Sequence, residues 1–538
     1  MEQTEFATQR LDHLGIVAGL CREIGLITQI DAAVGPSERK VSVGEAVQAM
    51  VLNALGFVGR ALYLTPEFLH NKPVDLLIRP GLCAEDFNDD SLGRALDELY
   101  QAGVTEVFAQ VASHALRHYG IDHRFVHLDS TSFHLHGEYA PEEPIPIEVT
   151  RGYSKEQRPD LKQVVLSLIT TYRSAIPVWL EALSGNQSDK KSFVPTIQAY
   201  TAQLKESESP YYVVDSALYG KENLQELAQI RWITRVPETL AEAKQLLRSV
   251  APEELEPLEE GYAGYEHRSL YGGVEQRWLV IFSEQAYQRE MATFQRHLKR
   301  HREAAAKELR ALRRRRFACE ADARAAVAEV EGSWRYHRAR VVIEPIRKHR
   351  RRGRPRAGEE PQIVGYRVAG EVMEDEEALK AATQTKGKFI VATNELDGEA
   401  LPAAELLCAY KAQGISVERG FRFLKDPLFF AESLFLKRPQ RLMALLMVMG
   451  LALLIYALAE RKVRQALQRR GETIPNQLGK PTQRPTLRRI FQLFEGIDVL
   501  LITSGGEVRE RRLVNLRAIH RKILDLLGVE VKKCYLLN

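Results

Sequence analysis

Residues 125–137 read FVHLDSTSFHLHG, an apolar run of β-branched and aromatic residues that meets an acid at Asp129 and then passes into Ser130, Thr131 and Ser132. That composition predicts a buried strand with a carboxylate where its apolar stretch ends. A second run of the same design, YYVVDSALYG at 211–220, places Asp215 after an apolar strand, and the helix-like ISVERGFRFLK at 415–425 supplies Glu418. Carboxylates at the ends of two strands, with a third from a helix, are what an enzyme needs to hold two divalent cations against a phosphodiester, because hard cations take oxygen ligands. Alone, each aspartate reads as well as a strand-ending residue that caps a turn. Together with a late glutamate, the pair favours metal. In the third segment, positions 418, 422 and 425 share one helical face at spacings of four and three. Glu418 can then bind metal while Arg422 and Lys425 meet phosphates, and Phe421 and Leu424 turn into the core. By itself the segment also reads as a solvated helix with Glu–Arg pairs.

Working outward, KQVVLSLITTY (162–172), PVWLEALSGN (177–186) and IRWITRVPE (230–238) are further strand candidates of one sheet. Residues 1–120 are helical in pattern, with apolar positions three and four apart and Asp90 or Ser91 as a candidate cap. The expected organisation is a helical N-terminal domain at 1–120, which would bind DNA. The first part of a catalytic domain follows at 121–236, then an insertion at 237–385, the second part of the catalytic domain at 386–470 and a basic region at 471–538. The insertion holds a long helix in which Tyr287, Met291, Phe294, Leu298, Ala305 and Leu312 repeat at helical spacing.

At 538 residues with 45% hydrophobic and 27% charged residues, the chain is globular and long enough for several domains. The net charge of +4 is too small to imply nucleic acid by itself, but the arginines and lysines are concentrated in two runs. Five single cysteines without a CxxC pair exclude a disulfide framework and point to a reducing cytoplasm. The opening MEQTEFATQRLDHLG lacks the layout of an export signal. Residues 442–459, LMALLMVMGLALLIYALA, have the length of a membrane span. Arginines at 438, 441, 461 and 464 flank both sides, which removes the asymmetry that would orient a lone span. A buried helix of a soluble protein is the expectation.

The motifs DSTSFHLHGEY, GYSKEQRPDLKQVVLSLI, GNQSDKKSF, YYVVDSALYG, IVATNE and ISVERGFRFLK, in that order and with an insertion before the last two, resemble the DDE transposases of bacterial insertion sequences, IS four superfamily type. The resemblance implies an α/β fold, an RNase H-like mixed sheet flanked by helices and interrupted by a large insertion, with a helical N-terminal domain. It implies Asp129, Asp215 and Glu418 as the catalytic and metal-binding triad. Two Mg²⁺ ions, replaceable by Mn²⁺, would be the cofactor. The substrates would be double-stranded DNA, as terminal inverted repeats and as target, acted on by a homodimer in the synaptic complex with no membrane involved. Of the family's Tyr, Arg, Glu, Lys signature, Lys425 stands seven residues after Glu418, whereas Gly414 occupies the arginine position and Tyr410 falls one residue early.

Basic residues near these motifs are candidates for DNA. Lys155, Arg158 and Lys162 lie in a loop entering a strand, and Arg235 ends WITRVP; each also reads as ordinary surface charge. RKHRRRGRPR at 347–356 resembles a minor-groove AT-hook, with Arg352, Arg354 and Arg356 as contacts, and equally a loop that touches phosphates without base preference. The segment 296–316, RHLKRHREAAAKELRALRRRR, is either a DNA-binding helix or an exposed one laced with carboxylate pairs. His127, His134 and His136 offer a zinc arrangement, but no second histidine cluster and no HExxH motif accompanies it. An inactive DNA-binding relative and a nuclease on the same fold are the alternatives.

Overall fold

The computed structural model describes residues 4–36, 38–57, 64–135, 147–153, 158–205, 209–349, 360–426, 436, 438–505 and 507–537, with 415 and 416 as backbone only. The chain divides into two compact units: residues 1–234, 272–274 and 406–538 form the first, and 235–271 and 275–405 the second.

The first unit opens with strand β1 (Thr4–Arg10) and continues through helices that include Leu14–Glu23, Val43–Leu55, Asp89–Gln101 and Val104–His118. Their starts follow local chemistry. Ser42 and Glu45 form a capping box, each side chain bonding the other's backbone N–H, at 3.2 and 2.9 Å. Asn88, rather than Asp90 or Ser91, caps the helix Asp89–Gln101 by accepting from the Ser91 N–H at 2.9 Å.

The sheet follows: β2 (Phe125–Leu135), β3 (Lys162–Thr171), β4 (Pro177–Ser184), β5 (Tyr211–Val214) and β6 (Trp232–Arg235), in the spatial order β4-β3-β2-β5-β6. The first three form an antiparallel meander, whereas β5 runs parallel to β2 and β6 parallel to β5. This is the mixed, RNase H-like sheet expected from the sequence. Parallel neighbours need a crossover, and the helix Asp189–Ala202 lies in the connection that leads into β5. Strand β3 is buried along almost its whole length, as a strand covered on both faces must be.

The apolar run at 442–459 lies within one helix, Pro439–Arg470, and 89% of its apolar window is buried inside the protein. It is a core helix. The N-terminal helices Val43–Leu55, Asp89–Gln101 and Val104–His118 pack on it, as does β4. These helices therefore share a core with the sheet. Gly450 permits the closest approach: a Cβ there would stand 2.4 Å from Leu180 Cδ1 and 3.0 Å from Phe108 Cε2. At the far end of the chain, the strand Asp498–Ser504 pairs with β1 and with the strand Glu507–Val514.

The second unit contains β7 (Glu256–Glu259), β8 (Tyr262–Tyr271) and most of β9 (Val274–Ser283), followed by the helix Glu284–Arg314, capped by Ser283. The helix Glu320–Glu331 and a long hairpin, β10 (His337–Lys348) with β11 (Gln362–Glu374), come next. Leu309, Leu312, Phe317, Ala323, Val327 and Val368 give these last elements a core of their own. Strand β12 (Lys388–Thr393) then pairs antiparallel with β9, so that IVATNE lies in this unit.

Candidate active site

Strand register brings the two aspartates together. On the parallel pair β2 and β5, His127 lies opposite Val213; Asp129 and Asp215 each follow two residues later. Two residues restore the same face of a strand, so both carboxylates project from one side of the sheet, on neighbouring strands about 5 Å apart. Asp215 directly follows the last residue of β5, whereas Asp129 lies within β2, which runs on to Leu135 paired with β3 instead of ending at the acid as its sequence suggests.

Each carboxylate is held by its own backbone. Asp129 Oδ1 accepts the Ser130 N–H at 2.7 Å. Asp215 Oδ1 accepts the Ala217 N–H at 2.9 Å, capping the 3₁₀ turn Ser216–Leu218, and the Asp215 carbonyl accepts the Thr234 hydroxyl at 2.7 Å. Asp215 therefore caps a turn, and the same bond fixes its side chain at the strand end. On the opposite face of β2, the buried Ser130 hydroxyl donates to Asp189, at the start of the helix that leads towards β5.

Glu418 rides on the helix Gln413–Leu424, which packs against β2 and β3. Val417, Phe421 and Leu424 are buried, and Gly420 comes close to Leu168 and Leu453, so one face is sealed to the core. Glu418 and Arg422 are exposed, and Lys425, at the helix C-cap, is half-buried. Two contacts fix which face of β2 this segment covers. His127 Nε2 donates to the Ala409 carbonyl at 2.9 Å, and Lys425 Nζ lies 5.7 Å from the Phe133 ring centre. His127, Asp129, Thr131 and Phe133 alternate onto one face, and Glu418 lies between Ala409 and Lys425 in the chain. Position 414 looks onto the glutamate: a Cβ there would stand 3.7 Å from Glu418 Oε1.

Beside Glu418, the Arg419 guanidinium donates to Glu460, a nearly buried carboxylate on the core helix. Glu460 also pairs with Arg464 at 2.8 Å and accepts the Leu487 N–H at 3.0 Å. This network ties the Glu418 helix to the core helix. The sequence offers one sign of it, a lone acid directly after an uncharged run, and the sequence reading did not use it.

All three candidate ligands are carboxylates, a donor set suited to hard divalent cations and not to thiophilic metals. Among the described residues no three His, Cys, Asp or Glu side chains are grouped as a closed metal site. Asp129 and Asp215 are thus brought side by side, and Glu418 is placed on the helix over the same face without closing on them. The zinc alternative loses His127, because its ring is buried and its Nε2 is engaged by the Ala409 carbonyl at 2.9 Å; burial also lowers its pKa to about 4. His134 is half-buried on β2, and His136 lies outside the described residues.

The basic candidates are dispersed. Arg158 is exposed and holds Asp160 through two bonds of 2.9 and 2.8 Å, which lowers the Asp160 carboxyl to about 2. Lys162 opens β3 opposite Leu135, half-buried. Arg235 belongs to the second unit, where it pairs with Glu238 at 2.8 Å and lies over the Phe389 ring at 5.3 Å. Lys155, Arg352, Arg354 and Arg356 lie outside the described residues.

Comparison with known proteins adds a family. A family model described as a transposase DDE domain matches residues 120–455, and one described as a domain of unknown function (DUF4277) matches residues 6–113. No curated protein matches the chain. Among solved structures, it is similar to a cryo-EM structure of the piggyBac transposase synaptic complex with hairpin DNA. The identity is 9% and the TM-score 0.38, with 91% of this chain and 82% of that chain covered.

Proposed function

The chain belongs to the transposases with a DDE domain, and from that premise we propose that Asp129, Asp215 and Glu418 are the carboxylates with which this enzyme cuts and joins DNA. The observation that carries the assignment is that Asp129 and Asp215 each follow by two residues the paired His127 and Val213 of adjacent parallel strands, within a family match that also spans Glu418.

Asp129 and Asp215 would hold divalent cations from the sheet and Glu418 from the helix above. Two Mg²⁺ ions, or Mn²⁺ in their place, would make bound water or a 3′-hydroxyl nucleophilic at neutral pH and offset charge on the phosphate. Arg422 and Lys425 would position the phosphates flanking the scissile one, and Lys155, Arg158 and Lys162 would grip the strand beside it. Arg158 must exchange Asp160 for phosphate to do so. Arg235, at the end of β6, and Arg352, Arg354 and Arg356 of the insertion would contact DNA.

Two in-line displacements follow at one site. Water attacks a phosphorus at the end of the element; the P–O3′ bond breaks and leaves a 3′-hydroxyl and a 5′-phosphate. That 3′-hydroxyl then attacks a target phosphodiester, forming a new 3′-O–P bond and releasing a target 3′-hydroxyl. No covalent bond between protein and DNA is needed. Terminal inverted repeats are the specific substrate, two ends held by a homodimer. The helical N-terminal region would recognise them, and the enzyme would act on nucleoid DNA in the cytoplasm.

The deciding experiment incubates duplex ends from the sequence flanking the gene with a target duplex and Mg²⁺, for wild type and Asp215→Ala. Joined products that vanish in the variant support the assignment. Cleavage without joining would identify a nuclease, and specific binding without chemistry an inactive relative.

A further inference from the structure

The helix Glu284–Arg314 carries a feature that the proposed chemistry does not use. Its buried residues Phe294, Ala305, Leu309 and Leu312 form one stripe, and at 100° per residue Arg296, Lys299, Arg300, Lys307, Arg310 and Arg314 fall on the opposite side. All six are exposed, and Glu303 is the one acid among them. An exposed helix stabilised by carboxylate pairs would show these cations bonded to acids three or four residues away. Among the described residues none of the six enters an ion pair, whereas Arg324, Arg338 and Arg367 of the same unit are held by Glu320, Asp375 and Glu344 at 2.6, 2.6 and 2.8 Å. The stripe is also rigidly backed, because the helix Glu320–Glu331 and the β10–β11 hairpin pack on its apolar side.

We propose that this stripe is a docking surface for the phosphate backbone of double-stranded DNA, separate from the catalytic carboxylates. From Arg296 to Arg314 it extends about 27 Å at 1.5 Å per residue, the rise of roughly eight base pairs at 3.4 Å each. Arg296 and Arg310 bond only neutral groups of their own helix, the Thr293 hydroxyl and the Ala306 carbonyl, among the described residues; cations not neutralised by a carboxylate can each displace counterions from phosphates, so the contact is independent of sequence. The inference rests on the transposase reading for its ligand, and it adds a surface to which that reading gave no role.

The test is duplex binding by the full chain in chelator, measured by fluorescence anisotropy across a salt series. Arg300, Lys307 and Arg314 are replaced by Ala in one variant, and Arg324, Arg338 and Arg367 in a second that loses the same charge. The first variant is expected to lose at least tenfold in affinity and to reduce the slope of log K against log salt by roughly 2.7, about 0.9 per phosphate contact; the second should change little. A third variant, Arg300→Lys with Arg314→Lys, keeps the charge and should bind like wild type, which separates contact from misfolding. Equal losses in both triple variants, or none in the first, overturn the proposal. Divalent ions are absent, so a chain that binds in this way and fails to join DNA counts against the catalytic assignment alone.

Discussion

Asp129 and Asp215 are each held by a nearby backbone N–H: Asp215 caps a turn through Oδ1, and Asp129 accepts from Ser130. If both hold cations, Asp129→Ala, Asp215→Ala and Glu418→Ala should each lower strand transfer by on the order of a thousand-fold, about 4 kcal/mol of transition-state stabilisation. Binding to duplex ends in chelator should persist. A variant that keeps joining activity removes its residue from the set. His127 yields a different expectation. Its folded pKa of about 4 lies below the ordinary 6.5, so the unfolded chain takes up the proton first as pH falls. The stability that His127 contributes is complete above about 6.5 and is lost progressively towards 4, by up to about 3 kcal/mol. Urea midpoints measured from pH 7 to pH 4.5 should fall, and His127→Gln should flatten part of that fall; an unchanged slope would refute it. His13, also buried and near 4, adds a parallel contribution. The acids were legible because each ends an apolar run. Their side-by-side placement was not, since it depends on a strand pairing between segments more than eighty residues apart, and hydrogen-bond register leaves no mark on composition.

The Glu418 helix is oriented by what lies on either side of its exposed acid. Val417, Phe421 and Leu424 seal one face, and Arg419 reaches Glu460 on the core helix. Glu460→Ala would leave Arg419 and Arg464 without their shared carboxylate. A cost of about 3 kcal/mol is expected, at the low end for a broken buried pair because both arginines are partly exposed. Urea denaturation reads that loss. Strand transfer, measured where the variant is still folded, should fall as well, because the helix has lost a tether next to Glu418; full activity would show that packing alone orients it. The helix itself was legible from its four-three spacing, and the sheet strands from β-branched runs broken by polar residues. The cap of Asp89–Gln101 was placed two or three residues late, since Asn, Asp, Asp and Ser all cap well and only the backbone chooses among them. The Arg419–Glu460 bond joins residues 41 apart, a tertiary fact that no window of sequence contains.

For the whole molecule, the proposed pairing of two DNA ends has a stoichiometric consequence. If each subunit of a homodimer acts on one end, an equal mixture of wild type and Asp215→Ala should join both ends in about a quarter of complexes, the share in which both subunits are intact. A yield near three quarters would indicate that one intact subunit serves both ends. The basic segment 296–316 was visible as charge, but whether its cations were paired depended on side-chain geometry, and the second unit's core beneath it comes from the helix and the hairpin that follow. Gly19, in one of the first helices, lies against Val531, Gly15 against Tyr535, and β1 pairs with Asp498–Ser504. A nascent chain still on the ribosome therefore lacks the partners of its own first helices, and they can reach their final packing only after residue 535 has emerged. Truncated translation products should then be poor inhibitors of the intact enzyme, because without those late residues the early helices have nothing to close upon.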